Sequence, residues 1–364
     1  MLKVLLKNIL KVNKGKYISE TFLEKEQGMS PLITVPYLRN GITSSYVKNS
    51  NILKNNEIVI ISDGANSGEI FKSVEGVLSS TLWHLEVNPE FNKDLFFYQL
   101  KSKEHKIKSL NNNVFINHLK QEDINYLKFN NYSKEESLKI VNELNNKFNS
   151  IDSLLSILSK KEENLNEYLN KYIKRKFENN CKRKRIKDLF SVKTGATPLK
   201  RTKADLKYIP LISAKDILVK NINNIGSDFI SANEVFTNNL HKVNKNTLLM
   251  SIVGHNTGRV CIAKESLCHT QSVISLSANK EVNEVAYYYF NYVKNDWTEE
   301  RKGTSILSIN STKVKNEFFY IPKNITIFLE TVKKKEEQIV SAINEIKEQK
   351  KYLIEFKKSL IKDL

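Results

Sequence analysis

Asn56–Gly68 reads NEIVIISDGANSG, and Asn246–Gly258 reads NTLLMSIVGHNTG. In both segments a short apolar run ends in a turn with the pattern Gly-x-Asn-(Ser/Thr)-Gly, which is typical of a buried β-strand followed by a tight loop. Two further pairs of similar segments occur in the same order, Ile9–Gly15 with Leu189–Gly195 and Asn164–Lys174 with Tyr352–Lys362. The distance along the chain between the two copies far exceeds the roughly 20–50 residues of a solenoid repeat. The repeating piece is therefore a domain plus a long helix.

The composition favours a folded protein with a polyanionic partner. The 364 residues suffice for two domains with real cores, and 40% of them are hydrophobic. Lys and Arg exceed Asp and Glu by 58 to 40, which gives a net charge of +18. Part of this excess reflects a composition rich in Lys, Asn and Ile, and the rest favours nucleic acid. Since duplicated domains suit a ligand with its own near-symmetry, duplex DNA is the expected partner.

The cysteine content and the hydropathy pattern predict a cytoplasmic protein without a membrane segment. Cys181, Cys261 and Cys268 are odd in number and include no C-x-x-C pair, which disfavours a disulfide framework. No stretch approaches the ~18 apolar residues of a membrane span. Met1–Lys16 also lacks the uninterrupted apolar core of a signal peptide.

Short apolar runs separated by turns predict a mixed α/β fold in each half. In the first half the predicted strands are Glu57–Ser62, Thr81–Val87 and Tyr126–Phe129, with a helix at Lys93–Leu110. In the second half the matching strands are Thr247–Val253 and Gln271–Leu276, with a helix at Val285–Val293. Asn179–Arg185 (NNCKRKR) has no apolar periodicity and is interpreted either as a solvated linker or as a phosphate-contacting strap.

Each half then ends in a heptad pattern that predicts a long coiled-coil helix. Apolar residues recur every seven positions and form the predicted core of the helix pair: Leu144, Ile151, Leu158, Leu165 and Tyr172, then Val332, Ile339, Ile346, Leu353 and Leu360. We expect the two helices to pair antiparallel within one chain and to place the domains at opposite ends, the alternative being separate packing or pairing between chains. About 44 residues correspond to roughly 65 Å of helix, close to two turns of B-DNA.

The predicted organisation is a duplicated α/β (α+β) chain with four segments. These are a first domain at 1–132, a first long helix at 133–178, a linker and second domain at 179–324, and a second long helix at 325–364.

The sequence carries no signature of catalysis or of a metal site. A phosphate-binding G-x-x-x-x-G-K-(S/T) loop is absent. Asn88–Phe91 (NPEF) lacks the second proline of the adenine-methyltransferase element, and no F-x-G-x-G loop precedes it. The six histidines show no metal-ligand spacing. We therefore expect a binding protein without a catalytic residue, a metal or a cofactor of its own.

Three groups of loops, and one isolated arginine, are the candidate DNA contacts. Hydroxyls, amides and cations anchor phosphates, whereas Asn and Arg can read adenine and guanine. The candidates are Lys193, Thr194, Lys200, Arg201 and Lys203; Asn66, Asn256 and Arg259 at the glycine turns; Asn111, Asn112 and Asn113 with their counterparts Arg301, Lys302, Thr304 and Ser305; and Arg39, assigned to a strand edge. Turn geometry alone could explain the glycines and the two turn asparagines. Because the loops differ between the halves, two different half-sites are expected.

The ordered set of motifs resembles the DNA-specificity subunit of type I restriction–modification systems over nearly the whole chain. The resemblance rests on Val192–Pro198, Ile209–Ile212, Val35–Arg39, the two glycine turns, Gly303–Ser305 before Ile309, and the two long helices. The first half departs from the pattern, with Tyr17-Ile18 where the second half has Thr197-Pro198.

This resemblance implies two target-recognition domains that read a bipartite, asymmetric DNA site, with the helices setting its spacing. It also implies that methylation and cleavage reside in separate partners, two modification (methyltransferase) subunits and restriction subunits, which would bind S-adenosylmethionine and ATP with Mg²⁺. The alternatives are a coiled-coil interaction scaffold, or a specificity module of another DNA-modification or anti-phage system.

Overall fold

The computed structural model describes residues 3–43, 45–48, 51–110, 118–178, 180–198, 209–217, 228–237, 240–294, 308–362 and 364. The chain forms two compact units, the first made of Met1–Leu158 with Lys347–Leu364 and the second of Ser159–Ile346. Two long helices, α6 (Lys134–Glu178) and α11 (Ile325–Ser359), each contribute residues to both units.

The first unit contains nine strands and five short helices within the residues that the structure describes. The strands are β1 (Lys3–Leu5), β2 (Leu10–Lys14), β3 (Ser30–Ile33), β4 (Tyr46–Val47), β5 (Ile58–Ile61), β6 (Ile70–Lys72), β7 (Val77–Leu78), β8 (Leu82–Val87) and β9 (Lys128–Asn130). The helices are α1 (Leu6–Ile9), α2 (Val35–Asn40), α3 (Lys93–Ser102), α4 (Glu104–Ser109) and α5 (Gln121–Asn125).

A four-stranded antiparallel sheet is the centre of the first unit, in the order β2-β8-β5-β6. Its β5 strand is fully apolar and buried (IVII), as expected for a strand covered on both faces. A smaller sheet, β4-β3-β7, contains the parallel pair β3–β7, and a ribbon joins β1 to β9 at the entry to α6.

The second unit repeats this plan. Its strands are β10 (Cys181–Arg185), β11 (Ser191–Thr194), β12 (Ile209–Ile212), β13 (Asp228–Ile230), β14 (Lys242–Val243), β15 (Leu248–Ser251), β16 (Val260–Ile262), β17 (Leu267–His269), β18 (Val273–Ser277) and β19 (Phe318–Pro322). Its short helices are α7 (Ile186–Leu189), α8 (Ala232–Thr237), α9 (Lys280–Tyr292) and α10 (Ser311–Asn316), with 3-10 turns at Ala214–Asp216 and Gly254–Asn256.

The sheets of the second unit follow the same order as those of the first, with one additional strand, β14, at the edge of the second sheet. The central sheet is β11-β18-β15-β16, the second sheet is β13-β12-β17-β14 with a parallel β12–β17 pair, and the ribbon is β10-β19. The duplicated mixed α/β fold predicted from the repeated segments is therefore confirmed.

The two long helices pack against each other in antiparallel sense within each unit. In the first unit the Lys357 ammonium, near the end of α11, donates to Asp152 Oδ1 at 2.7 Å, in the first half of α6. In the second unit Phe177, at the end of α6, packs against Phe328, at the start of α11, with ring centroids 4.8 Å apart. The helix starts are capped, since Ser133 and Glu136 form a capping box and Asn324 Oδ1 accepts from the Ile327 amide.

Each heptad position lies in a buried or half-buried place. Leu144, Ile151, Val332, Ile339 and Ile346 are buried, and Leu158, Leu165, Tyr172, Leu353 and Leu360 are half-buried. In each unit, a tyrosine of the globular part also forms a hydrogen bond with one of the long helices. Tyr98 donates its hydroxyl to Asn145 Oδ1 at 2.6 Å, and Tyr288, its counterpart in the second unit, donates to Glu336 Oε2 at 2.6 Å.

Four local predictions are corrected or refined by the structure. Within the segment interpreted as a solvated linker or a strap, Cys181–Arg185 forms a regular strand, β10, which pairs antiparallel with β19. The predicted helix at 93–110 is interrupted at Lys103, where the chain passes from α3 to α4. Arg39 lies in helix α2 rather than at a strand edge. The second long helix ends at Ser359, before the predicted position 364.

Candidate nucleic-acid interface

In each unit, several of the predicted DNA-contacting residues lie at the same end of the central sheet. In the second unit the strand register places Thr194, Ile274, Met250 and Val260 in one row. Lys193 and Thr194 and the turn Gly254–Gly258 therefore lie at the same end of that sheet. In the first unit Lys14, Trp83, Ile60 and Ile70 form the equivalent row, which brings the end of β2 to the turn Gly64–Gly68.

The two glycine turns share one backbone conformation. Gly64 and Gly68 have φ of 91°, and Gly254 and Gly258 have φ of 82° and 88°, values that favour glycine. The Gly68 amide donates to the Ile61 carbonyl at 2.8 Å, and the Gly258 amide donates to the Ser251 carbonyl at 2.8 Å. The same hydrogen bond thus recurs in the second copy of the repeat. We call the two turns with their flanking residues, Asp63–Glu69 and Val253–Arg259, the glycine platforms.

The glycines at the ends of β2 and β11 allow close backbone approach. A Cβ on Gly15 would lie 1.9 Å from the Ser79 carbonyl oxygen, and one on Gly195 would lie 2.1 Å from that of His269. Both glycines therefore let the strand end pack on the turn that leads into the neighbouring strand. Lys193 and Thr194 precede Gly195 and are exposed. Burial, together with the charge of Lys193, lowers the pKa of His241, so Lys193 stands beside a neutral imidazole at neutral pH.

In the first unit, Arg39 is held against the glycine turn. Thr34 caps α2 by accepting from the Tyr37 amide at 3.4 Å, and the helix presents Arg39 to the carboxylate of Glu69, which follows Gly68. Asn66 is exposed in the same turn. Through Glu69, the structure therefore places Arg39 at the turn that contains Asn66, although the two residues are far apart in the sequence.

In the second unit, the equivalent asparagine has a different role. Asn256 is 2% exposed, and its Nδ2 donates to the Ala214 carbonyl at 3.1 Å. This contact joins the glycine turn to the 3-10 turn at Ala214–Asp216 and favours the structural interpretation of Asn256 over base reading. Arg259 is exposed at the position equivalent to Glu69, so the charge at that point of the platform is reversed.

Asp63 of the first glycine platform and its contact partner His118 belong to no sequence motif that would single them out. Asp63 Oδ1 contacts His118 Nδ1, and Asp63 Oδ2 accepts from Ser62 Oγ at 2.6 Å. The pairing of positions 63 and 118 depends on a backbone bridge between distant segments, which local sequence patterns do not reveal. The remaining candidates lie outside the described residues: Asn111, Asn112, Asn113, Lys200, Arg201, Lys203, Arg301, Lys302, Thr304 and Ser305.

Residues 2–159 and 178–355 match the family described as the type I restriction modification DNA specificity domain. The chain belongs to this family.

A curated relative and two solved structures are similar to this chain. The type I restriction enzyme MjaVIII specificity subunit of Methanocaldococcus jannaschii is 34% identical over 160 residues, which cover 42% of this chain and 38% of the relative. The match thus spans well under two thirds of that relative's length. A chain from a structure on complex assembly and conformational transition of the type I R-M system aligns with a TM-score of 0.73 and 11% identity, covering 99% of this chain and 96% of the other.

The second structure is the HsdS subunit from Thermoanaerobacter tengcongensis. It aligns with a TM-score of 0.53 and 10% identity and covers 99% of this chain and 95% of the other. At these identities the two structures show the shared fold. Within the described ranges, no helix of the chain is long and apolar enough to cross a bilayer.

Two further surfaces of this specificity-family chain are exposed. In the first unit, both long helices expose apolar side chains, Leu154 (48% exposed) and Ile157 (59%) on α6 and Tyr352 (67%) on α11. Tyr352 stacks on Phe356 with ring centroids 6.3 Å apart. In the second unit, β10 presents a basic edge, which we define as Lys182, Arg183, Lys184 and Arg185, all exposed. The Arg183 guanidinium lies 3.4 Å from the centre of the Phe318 ring.

Proposed function

We propose that this chain is the DNA-binding specificity subunit of a type I restriction–modification system, and that each unit reads one half of a bipartite, asymmetric site. The observation that carries the proposal is the pair of glycine platforms. Their backbone hydrogen bonds are equivalent, whereas Glu69 in one is replaced by Arg259 in the other. A shared frame with different side chains is what two unlike half-sites require, because base edges are read by side chains.

The charge distribution supports a DNA ligand. A net charge of +18 favours association with a polyanion, and cations that neutralise phosphates supply most of the affinity that does not depend on sequence. Lys193, Arg259 and the basic edge are exposed in the second unit. In the first unit Arg39 is partly exposed at the turn that contains Asn66.

The exposed apolar residues of the long helices support assembly with partner subunits. Leu154, Ile157 and Tyr352 are exposed apolar side chains, and their burial against a helical surface of another subunit would be favourable. In this proposal two methyltransferase subunits dock there, restriction subunits join the complex, and the site of action is the cytoplasm. S-adenosylmethionine and ATP with Mg²⁺ belong to those partners, and the specificity chain itself performs no catalysis.

Selection from a pool of random duplexes tests the proposal. The full chain, bound to its methyltransferase partner, is expected to enrich two short motifs separated by a fixed number of unspecified base pairs. Sequencing of the retained duplexes gives both motifs and the spacer in one measurement. Enrichment of a single contiguous motif would contradict the reading of one half-site by each unit. No DNA affinity at all would favour the interaction scaffold instead.

The basic edge of β10 gives a separate prediction. Replacing Lys182, Arg183, Lys184 and Arg185 with alanine should weaken binding to all duplexes alike. The dependence of log K on log salt concentration should become shallower by roughly one unit for each phosphate that is no longer neutralised. Fluorescence anisotropy with a labelled duplex at several salt concentrations measures the slope.

A matched variant removes four exposed lysines of α11, Lys334, Lys347, Lys351 and Lys358, and so changes the net charge equally. An equal change of slope in both variants would show that the basic edge acts only through net charge.

A further inference from the structure

The glycine platform of the first unit holds a histidine–carboxylate pair at its surface. His118 Nδ1 contacts Asp63 Oδ1, and Ser62 Oγ donates to Asp63 Oδ2 at 2.6 Å. The side chains remain open to solvent, since Asp63 is 33% and His118 is 55% exposed. Both carboxylate oxygens are therefore fixed in direction while each keeps a lone pair for a further donor.

The second unit has the same backbone arrangement with different side chains. A β-bridge joins Asp63 to His118, and a second bridge joins Val253 to Ser308 at the equivalent positions of the other half. The Leu119 amide donates to the Ser62 carbonyl at 2.8 Å, and the Ile309 amide donates to the Ile252 carbonyl at 3.0 Å. Val253 is 40% exposed, and Ser308 is exposed. Two backbone-equivalent positions thus carry an acceptor pair in one unit and an apolar–hydroxyl pair in the other.

The chemistry of the first pair suits a hydrogen-bond donor on a base. A carboxylate close to a DNA backbone is repelled by the phosphates, so it is favoured there only if it accepts a hydrogen bond from a base edge. In the major groove the available donors are the exocyclic amino groups, N4 of cytosine and N6 of adenine. A histidine that donates through Nδ1 to a carboxylate presents its Nε2 as an acceptor when neutral. Asp63 and His118 then offer acceptors side by side.

We infer that positions 63 and 118, and their equivalents 253 and 308, are corresponding base-reading positions of the two half-sites. Asp63 and His118 select a base with an exocyclic amino group in the major groove, cytosine or adenine. Val253 selects thymine through its 5-methyl group, an apolar contact of the kind that reads this base. The inference rests on the proposed DNA-reading function and names the side chains that make the two halves differ.

Exchanging the two pairs tests the inference. The wild-type chain, D63V/H118S and V253D/S308H, each bound to the methyltransferase partner, are used to select duplexes from a random pool. With D63V/H118S, one base position of one half-motif is expected to lose its preference for cytosine or adenine by about fivefold or more, as for a single mismatched base pair. The other half-motif should be unchanged. V253D/S308H should change one position of the opposite half-motif, away from thymine.

The half-motif that stays unchanged shows in the same experiment that the variant is folded. If D63V/H118S loses its entire half-motif, the single variant D63N tests whether Asp63 reads a base. An amide favours adenine, whereas a carboxylate accepts from cytosine, so D63N should move the ratio of the two bases toward adenine. An unaltered ratio in D63N would overturn the inference.

Glu90 provides a control within the same unit. It is an exposed carboxylate beyond the opposite end of β8, so E90Q removes a charge and should leave both half-motifs intact. If the wild-type chain selects a bipartite motif, and D63V/H118S and V253D/S308H select the same motif unchanged, the inference is wrong while the DNA-reading function stands. If the wild-type chain selects no bipartite motif, the proposed function fails, and the inference fails with it.

Discussion

Phe177→Ala is expected to lower the free energy of unfolding of the second unit by about 3–5 kcal/mol, the cost of removing a large buried aromatic side chain. Phe177 is 5% exposed at the end of α6. Its ring packs edge-on against Phe328 of α11 at 4.8 Å and against Tyr289 of α9 at 5.5 Å. The side chain therefore joins both long helices to the globular part of the unit, and the cavity left by alanine cannot be closed by one neighbour alone.

Urea unfolding followed by circular dichroism at 222 nm measures this loss. Tyr168→Ala is the matched control, because Tyr168 is another aromatic residue of α6 and is 51% exposed. Its replacement should change the free energy of unfolding by roughly 1 kcal/mol or less. In selection experiments Phe177→Ala should also weaken one half-motif more than the other. Equal destabilisation by the two variants would show that Phe177 does not connect the helices to the unit.

The repeated segments predicted most of the scaffold because their signals are local. The run Ile58–Ile61 is a continuous apolar strand, and Gly64 and Gly68 take φ values that favour glycine. The heptads predicted α6 and α11 because a seven-residue apolar spacing needs no knowledge of distant partners. These features lie in short windows of sequence, and both copies of the repeat show them.

Strand β10 shows where local signals end. Lys182–Arg185 has four consecutive basic residues, so no alternation of apolar and polar side chains indicates a strand. The segment is extended because each residue pairs with β19, from Lys182 opposite Ile321 to Arg185 opposite Phe318. Phe318 of β19 also contacts two of the basic side chains, Arg183 and Arg185. Pairing between two segments that lie far apart in the sequence decides this strand.

The two turn asparagines illustrate the same limit within the candidate interface. Asn66 and Asn256 occupy the same place in the repeated motif, yet Asn66 is exposed and Asn256 is 2% exposed. The difference comes from the neighbouring element. In the second unit the 3-10 turn at Ala214–Asp216 offers a carbonyl to Asn256, whereas in the first unit α2 brings Arg39 to Glu69. The DNA contacts assigned from sequence stay predictions, and this contrast favours Asn66 over Asn256 among them.

Inserting one heptad into both long helices is expected to lengthen the spacer of the bipartite site by about three base pairs. Seven helical residues add roughly 10.5 Å, and a base pair adds about 3.4 Å along the duplex. The insertions belong after Leu158 in α6 and after Ile346 in α11, where each helix passes from one unit to the other, so that the packing inside each unit is kept. A heptad shifts the helical phase by only ~20°, whereas three base pairs turn the duplex by about 100°. The new site should therefore be bound more weakly than the original.

The control for this experiment is the same heptad inserted in α6 alone. It shifts the apolar residues of α6 out of register with those of α11. It should therefore reduce binding without producing a new spacer length. Selection from random duplexes measures the spacer in all three chains. Unchanged spacing in the double insertion, with both half-motifs retained, would show that the helices do not set the distance between the half-sites. A spacer longer by about three base pairs would instead assign that role to the pairing of α6 with α11. This assignment would follow because the insertions leave the contacts of the two glycine platforms unchanged. They alter only the length of the helices, at the points between Leu158 and Ser159 and between Ile346 and Lys347.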